Sequence, residues 1–276
     1  GATGIAAALG LVLPTFLLLM GESSMYQKFM SAKDEHHARR AVIGMILGVI
    51  VVETVLAATA VFGAGIYWQD AAFRTADGSL DRAITETVIL QLAAHDLPML
   101  AGIVLLIGAA AIIFSTANTF LMIPSTNLTR DIYQRFIRPE ASAKEVIRFQ
   151  RMMIVVLAAL AFVVTTRFEN ILDMALYAYT MVGAAVTPAL LAAFLWRRVT
   201  PLGGMVSIAS GMLATLVFAG LASAGFPALN LGFVEIPLEY DYIIYPAGFL
   251  SILSLVIVSL VTPKSPEEKW RPFWAE

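Results

Sequence analysis

Cysteine is absent from this 276-residue chain, and charge is scarce, with Asp, Glu, Lys and Arg making up 14% of it. Without cysteine there is no disulfide, no thiolate nucleophile and no thiolate metal site. Soluble domains carry roughly 25% charged residues, so a water-exposed globule is excluded for most of the chain. Histidine is rare as well: His36 and His37 are adjacent, a poor spacing for a metal, and His95 stands alone. Also missing are a P-loop, a Gly-x-Ser-x-Gly elbow and a His-Glu-x-x-His pair. No enzymatic chemistry and no nucleic-acid partner are expected. Strand-like alternation is absent too, which argues against a membrane barrel.

What the chain has instead is apolar length. It is 59% hydrophobic with a mean hydropathy of +0.81. A helix needs about 20 apolar residues to cross a hydrocarbon core, and stretches near 2–20, 41–67, 97–123, 150–166, 171–196, 203–224 and 243–262 qualify. The expected fold is therefore all-α, a polytopic bundle of seven transmembrane helices. It occupies residues 1–262, with 263–276 as a cytoplasmic tail.

The net charge of −2 says little, whereas the placement of Lys and Arg says more. If the first helix runs from outside to inside, only Arg74, Arg82 and Arg167 of the 18 basic residues lie outside. The chain's amino terminus is then expected outside and its carboxyl terminus in the cytoplasm, in the inner (plasma) membrane. Aromatic residues agree: Tyr67 and Trp68 end the second helix, Trp196 ends the fifth, and Tyr242 and Tyr245 open the seventh. Trp270, Phe273 and Trp274 in the tail are expected at the lipid surface.

Gly4, Gly10 and Pro14 are expected to interrupt the first helix, as membranes tolerate where protein or water satisfies the freed backbone. Residues 69–96 contain the helix-compatible "DRAITETVILQLAAHDLP" and are expected to form a lid across the outer face. The third helix should continue through "TNLTRDIYQRFIRP" until Pro139 stops it. The opening "GATGIAAALG" has no basic region before its apolar run, does not resemble a signal peptide, and is expected to continue from preceding chain.

The third helix carries Ser115, Thr116, Asn118 and Thr119 in an apolar run. Such side chains usually bond the carbonyl one turn back or a neighbouring helix. Here Ser115, Asn118 and Thr119 share one face by three- and four-residue spacing, with Thr116 flanking it. Hydroxyls and helix carbonyls suit a small hard cation such as Na⁺, because they replace its water without placing a full charge in oil. Glu53 sits midway along the second helix. A carboxylate there costs at least about 2.5–3.5 kcal/mol on insertion scales, so it is protonated, paired, or facing a polar path. On the fifth helix Tyr177, Tyr179 and Thr180 are either packing residues or gate and solute contacts.

The stretches "AAAIIFSTANTFLMIPSTNLTRDIYQRF", "MYQKFMSAKDEHHARRAV" and "GAAVTPALLAAFLWRRVTPLGGMVSIASG" together resemble the sodium:solute symporter family. That resemblance implies the second part of a leucine-transporter-like inverted-repeat fold: core helices six to ten plus two accessory helices, with the five preceding core helices outside this sequence. It implies Na⁺ as the transported coupling ion, ligated by the hydroxyls of Ser115 and Thr116 and the carbonyl of Ile112, where relatives often have Ala. Tyr177, Tyr179 and Thr180 become solute or gate candidates by that resemblance, while Glu53, Asn118 and Thr119 are candidates from their own place in apolar helices, and no motif assigns Glu53. The implied function is Na⁺-coupled import of a small organic solute by alternating access, with the lipid bilayer and the missing helices as partners. The alternative is a symporter-like membrane sensor, or a structural subunit without transport of its own. No signalling module follows the seventh helix in this sequence, so transport is the expected function.

Overall fold

Local chemistry sets several helix ends. Asp34 accepts the His37 amide at 2.9 Å and starts the helix that follows. Ser142 and Glu145 form a reciprocal capping box. Thr200 accepts from the Gly203 amide at 3.1 Å, with Pro201 at the first helical position. Gly225, at φ +83°, closes the same helix in the left-handed conformation, and the Phe226 amide bonds back to the Leu221 carbonyl.

A computed structural model describes residues 4–168, 170–230 and 235–271. Its long helices are α1 (Ile5–Gly21), the shorter α2 (Ser23–Met30), α3 (Glu35–Tyr67), α6 (Met99–Asn127), α7 (Ala143–Thr165), α8 (Ile171–Leu195), α9 (Pro201–Ser223) and α10 (Ile244–Val261). Short α4 (Arg82–Thr85) and α5 (Val88–Gln91) precede α6, and α11 (Glu267–Trp270) lies in the tail. Six helices are long and apolar enough to span, or up to seven if α1 and α2 count as one interrupted span. The interruption lies at Glu22, which is extended, and not at Gly4, Gly10 or Pro14. Pro14 stays inside α1, with Gly183 packed against its carbonyl and Leu17.

The chain divides into two compact units, residues 1–22 with 172–276 and residues 23–171. In the first, small residues line the helix contacts, the usual device where lipid gives no hydrophobic drive between helices. On α9, Gly203, Ser207 and Gly211 recur every four residues and are buried. A Cβ on Gly203 would collide with the Ser259 hydroxyl, and one on Gly211 with the Ala184 carbonyl. Hydroxyls stitch α9 to α10: Ser207 to Ser251 at 2.9 Å, Ser210 to Ser254 at 2.7 Å, and Thr200 to Thr262 at 2.8 Å. Tyr245 donates to the Ala6 carbonyl at 2.5 Å and joins α10 to α1. Where α9 ends and α10 begins, Phe218, Leu238, Ile243, Ile244 and Ala247 belong to the buried core. A two-stranded antiparallel ribbon lies beside it, β1 (Ala228–Asn230) with β2 (Glu235–Pro237), pairing Leu229 with Ile236. The sequence reading did not anticipate that ribbon.

In the second unit, α3 has none of its span buried within the chain. The stretch expected to be a lid is a series of short turns seated on the end of α3. Gly63 meets Leu92 and Val88, Tyr67 stacks on Phe73 at 4.6 Å, and the Tyr67 hydroxyl donates to the Asp96 carboxylate. Beyond Asn127 the helix widens to π-type turns over Leu128–Ile137, so the expected extension exists and ends at Arg138. Tyr133 stacks on Phe149 at 4.1 Å, and Gln150 donates to Thr126 at 2.9 Å, fastening that extension to α7. Of the tail residues expected at lipid, Trp270 is half-buried, and Phe273 and Trp274 lie outside the described residues.

Candidate functional site

Ser115 lies sixteen residues past Met99, about 24 Å along α6 at 1.5 Å per residue. Thr119, half-buried, donates its hydroxyl to the Ser115 carbonyl at 3.1 Å, the ordinary one-turn bond of a membrane helix. Its hydroxyl hydrogen is therefore committed. Ser115, Thr116 and Asn118 differ: among the described residues their side chains have no hydrogen-bond partner, and all three are exposed on the surface of their unit. Ile112, one turn before Thr116, is 59% exposed. Its carbonyl accepts within the helix and keeps a second lone pair for another donor or a cation. Three oxygens of α6 thus lie within a turn of one another with valence unspent.

Glu53 lies on the outer surface of α3 among exposed Ile50, Val52 and Val55. Among the described residues no hydrogen bond or ion pair reaches it. Its neighbour Thr54 is satisfied within α3, donating to the Ile50 carbonyl at 2.6 Å.

The fifth-span candidates belong to the other compact unit, on α8. Thr180 is fully buried, and among the described residues its Oγ1 has no hydrogen-bond partner. An orphan hydroxyl of this kind is rare in native interiors and calls for a ligand, a water or a functional cause. Tyr177, one turn earlier, is half-buried against the core around Ala184 and Ile244. Tyr179 is half-buried and falls off the buried stripe of Leu176, Thr180, Gly183 and Thr187. Tyr177 and Thr180 therefore share a face by three-residue spacing, and Tyr179 does not.

Thr187 was not singled out by the sequence reading. Its hydroxyl donates to the Leu17 carbonyl of α1 at 2.7 Å, and Gly21 packs against the same side chain. A signal for it existed: Thr beside Pro188 in "GAAVTP" marks a place where side-chain hydroxyls replace missing backbone bonds. His37 has a plain local role, its ring within 2.8 Å of the Asp34 carboxylate. The His37 amide and then its ring hold the Asp34 carboxyl below its ordinary value.

Residues 2–211 match the profile of the Sodium:solute symporter family. The sodium/proline symporter of Escherichia coli (strain K12) is 31% identical over 221 residues, covering 78% of this chain and 42% of that protein. The high-affinity proline transporter PutP of Bacillus subtilis (strain 168) is 27% identical over 249 residues, covering 88% and 47%. For the sodium/proline symporter of Haemophilus influenzae (strain ATCC 51907 / DSM 11121 / KW20 / Rd) the figures are 30%, 62% and 32%. The chain thus spans between a third and a half of the curated relatives it matches. These relatives are transporters and not enzymes, and the apolar spans make this chain a multi-pass membrane protein.

Proposed function

Because the chain belongs to the sodium:solute symporter family, we propose that it is the carboxyl-terminal part of a Na⁺-coupled secondary transporter that imports proline by alternating access. The observation that carries this reading is the pair Ser115 and Thr116 on α6, whose hydroxyls have no hydrogen-bond partner among the described residues. Together with the Ile112 carbonyl they offer neutral oxygens to a transported Na⁺. Such oxygens bind without fixing a charge in the membrane, so release into the cell stays accessible in each cycle. The remaining ligands belong to preceding helices of the same transporter. An aliphatic side chain offers no oxygen to a cation, so the contact at Ile112 is its backbone carbonyl.

Proline as solute rests on what the relatives' names say they carry. A zwitterion crossing at bilayer depth needs polar contacts that are not already spent. The orphan hydroxyl of Thr180 supplies one, Tyr177 lies on its face, and Tyr179 and Asn118 are further candidates along the path. Thr119 positions the Ser115 carbonyl instead of binding the solute itself. Glu53, exposed among apolar side chains of α3, meets a polar partner or a polar path in the intact protein. The location is the inner (plasma) membrane, with Gly1 outside and the tail inside.

Coupling requires that Na⁺ favour the solute-binding state, since an ion with equal affinity for both states shifts nothing. Proline uptake by the intact transporter in proteoliposomes tests this. An inward Na⁺ gradient should drive uptake, and Ser115→Ala with Thr116→Ala should abolish the gradient's effect. Uptake indifferent to Na⁺, or unchanged in that double variant, would refute the proposal.

A further inference from the structure

The helices α8 and α10 end, and α9 begins, at the same end of their unit, at Leu195, Val261 and Pro201. A cavity of about 340 Å³ lies there, lined by Arg197, Arg198, Lys264, Ser265, Glu267 and Trp270. Cations outnumber the single carboxylate in that lining three to one. Arg198 is fixed in place: its Nη2 donates to the carbonyls of Leu260 at 3.0 Å and Thr262 at 2.9 Å, closing the carboxyl end of α10. Its Nη1 is buried and has no acceptor. The guanidinium cannot turn that donor toward water without abandoning the two carbonyls, so an acceptor has to come to it. Arg197 lies over the Trp270 ring at 5.7 Å, and the Ser265 hydroxyl donates to the Val199 carbonyl at 3.3 Å, which ties the tail and its Lys264 to the same loop.

We propose that this cavity is a phosphate-binding site, occupied by the phosphate of an anionic lipid headgroup or by free phosphate. A phosphate oxygen completes the open Nη1 position, and Arg is the side chain best suited to that geometry. Lys264 and Arg197 supply charge, and Glu267 at the rim limits the site to strong anions. Depth favours the lipid source: basic pockets at the ends of transmembrane helices lie level with headgroup phosphates, and Trp270 is of the type that settles at that interface.

The test compares the purified intact transporter with its Arg197→Gln, Lys264→Gln variant, because these two cations do not hold α10 as Arg198 does. Native mass spectrometry reads retained phosphatidylglycerol against phosphatidylcholine, and thermal unfolding reads stabilisation. The wild type should retain phosphatidylglycerol preferentially and be stabilised by it. The double variant should unfold at the same temperature without lipid and lose retention on the order of tenfold. Phosphatidylglycerol retention that resists inorganic phosphate supports the lipid source. Displacement by inorganic phosphate that also stabilises the wild type supports the soluble one. Equal retention of both lipids by the wild type, with no phosphate effect, would overturn the site, as would equal responses of wild type and variant.

Discussion

Thr119 and Thr180 carry the same hydroxyl in helices of similar apolarity, yet Thr119 is satisfied one turn back and Thr180 by nothing. Their sequences do not distinguish them; burial against other helices does. Thr180→Val removes a donor that has no acceptor, so it should leave the unfolding temperature unchanged or raised, while proline uptake falls at least about tenfold if solute supplies the missing partner. Uptake equal to wild type would reduce Thr180 to packing. Outside the membrane, Asp77 is held down to about 2 by the hydroxyls of Thr75 and Ser79 and then the Ser79 amide. A depressed carboxyl stabilises its fold above its unfolded value of 3.8 and loses that contribution as pH falls through the folded value. Amide exchange at Ser79 should therefore be slow at pH 5 and accelerate between about pH 4 and pH 2 relative to the intrinsic rate. An unchanged protection factor over that range would contradict the turn's carboxylate bonds.

Helix existence follows from apolar length, and helix contact follows from what is small. The expected spans and the observed α3, α6, α8, α9 and α10 agree within a few residues apart from the polar lead-in of α3 and the extension of α6. Caps set starts that apolar length alone places late: the fourth span, expected from residue 150, begins at Ala143 behind the Ser142 cap. The break in the first span was misplaced because Gly and Pro look disruptive in isolation, whereas Pro14 is accommodated inside α1 and the helix ends at Glu22. The stripe of Gly203, Ser207 and Gly211 gives the contact between α9 and its neighbours a testable asymmetry. Gly211→Ala places a Cβ against the Ala184 backbone carbonyl, which cannot rotate away, and should cost about 1–3 kcal/mol. Ser251→Ala removes one hydroxyl, with its bonds to the hydroxyl and the carbonyl of Ser207, and should cost about 0.6 kcal/mol per bond. Thermal unfolding in detergent separates them, and a costlier Ser251→Ala would show that hydroxyls, not close approach, hold the pair.

For the whole molecule, the proposed assignment of membrane sides rests on the skew of Lys and Arg. The natural absence of cysteine makes this simple to measure. Ala76→Cys should react with an impermeant maleimide added to intact cells, and Ala141→Cys only after the membrane is opened. The reverse pattern would invert the topology and, with it, the side on which the phosphate cavity lies.

Composition and order along the chain determined the class, the approximate number of spans and the family, because insertion into lipid depends on summed apolarity over some 20 residues and needs no partner. They also marked Ser115 and Thr116 as a pair. Which hydroxyls stay unspent was decided only in three dimensions: Thr180 is orphaned by burial, Thr187 is claimed by α1, and Arg198 keeps one open donor because two carbonyls of α10 fix the other. The reason is that hydrogen-bond satisfaction is a property of neighbours distant in sequence, and those neighbours are set by close packing of small residues that hydropathy does not register.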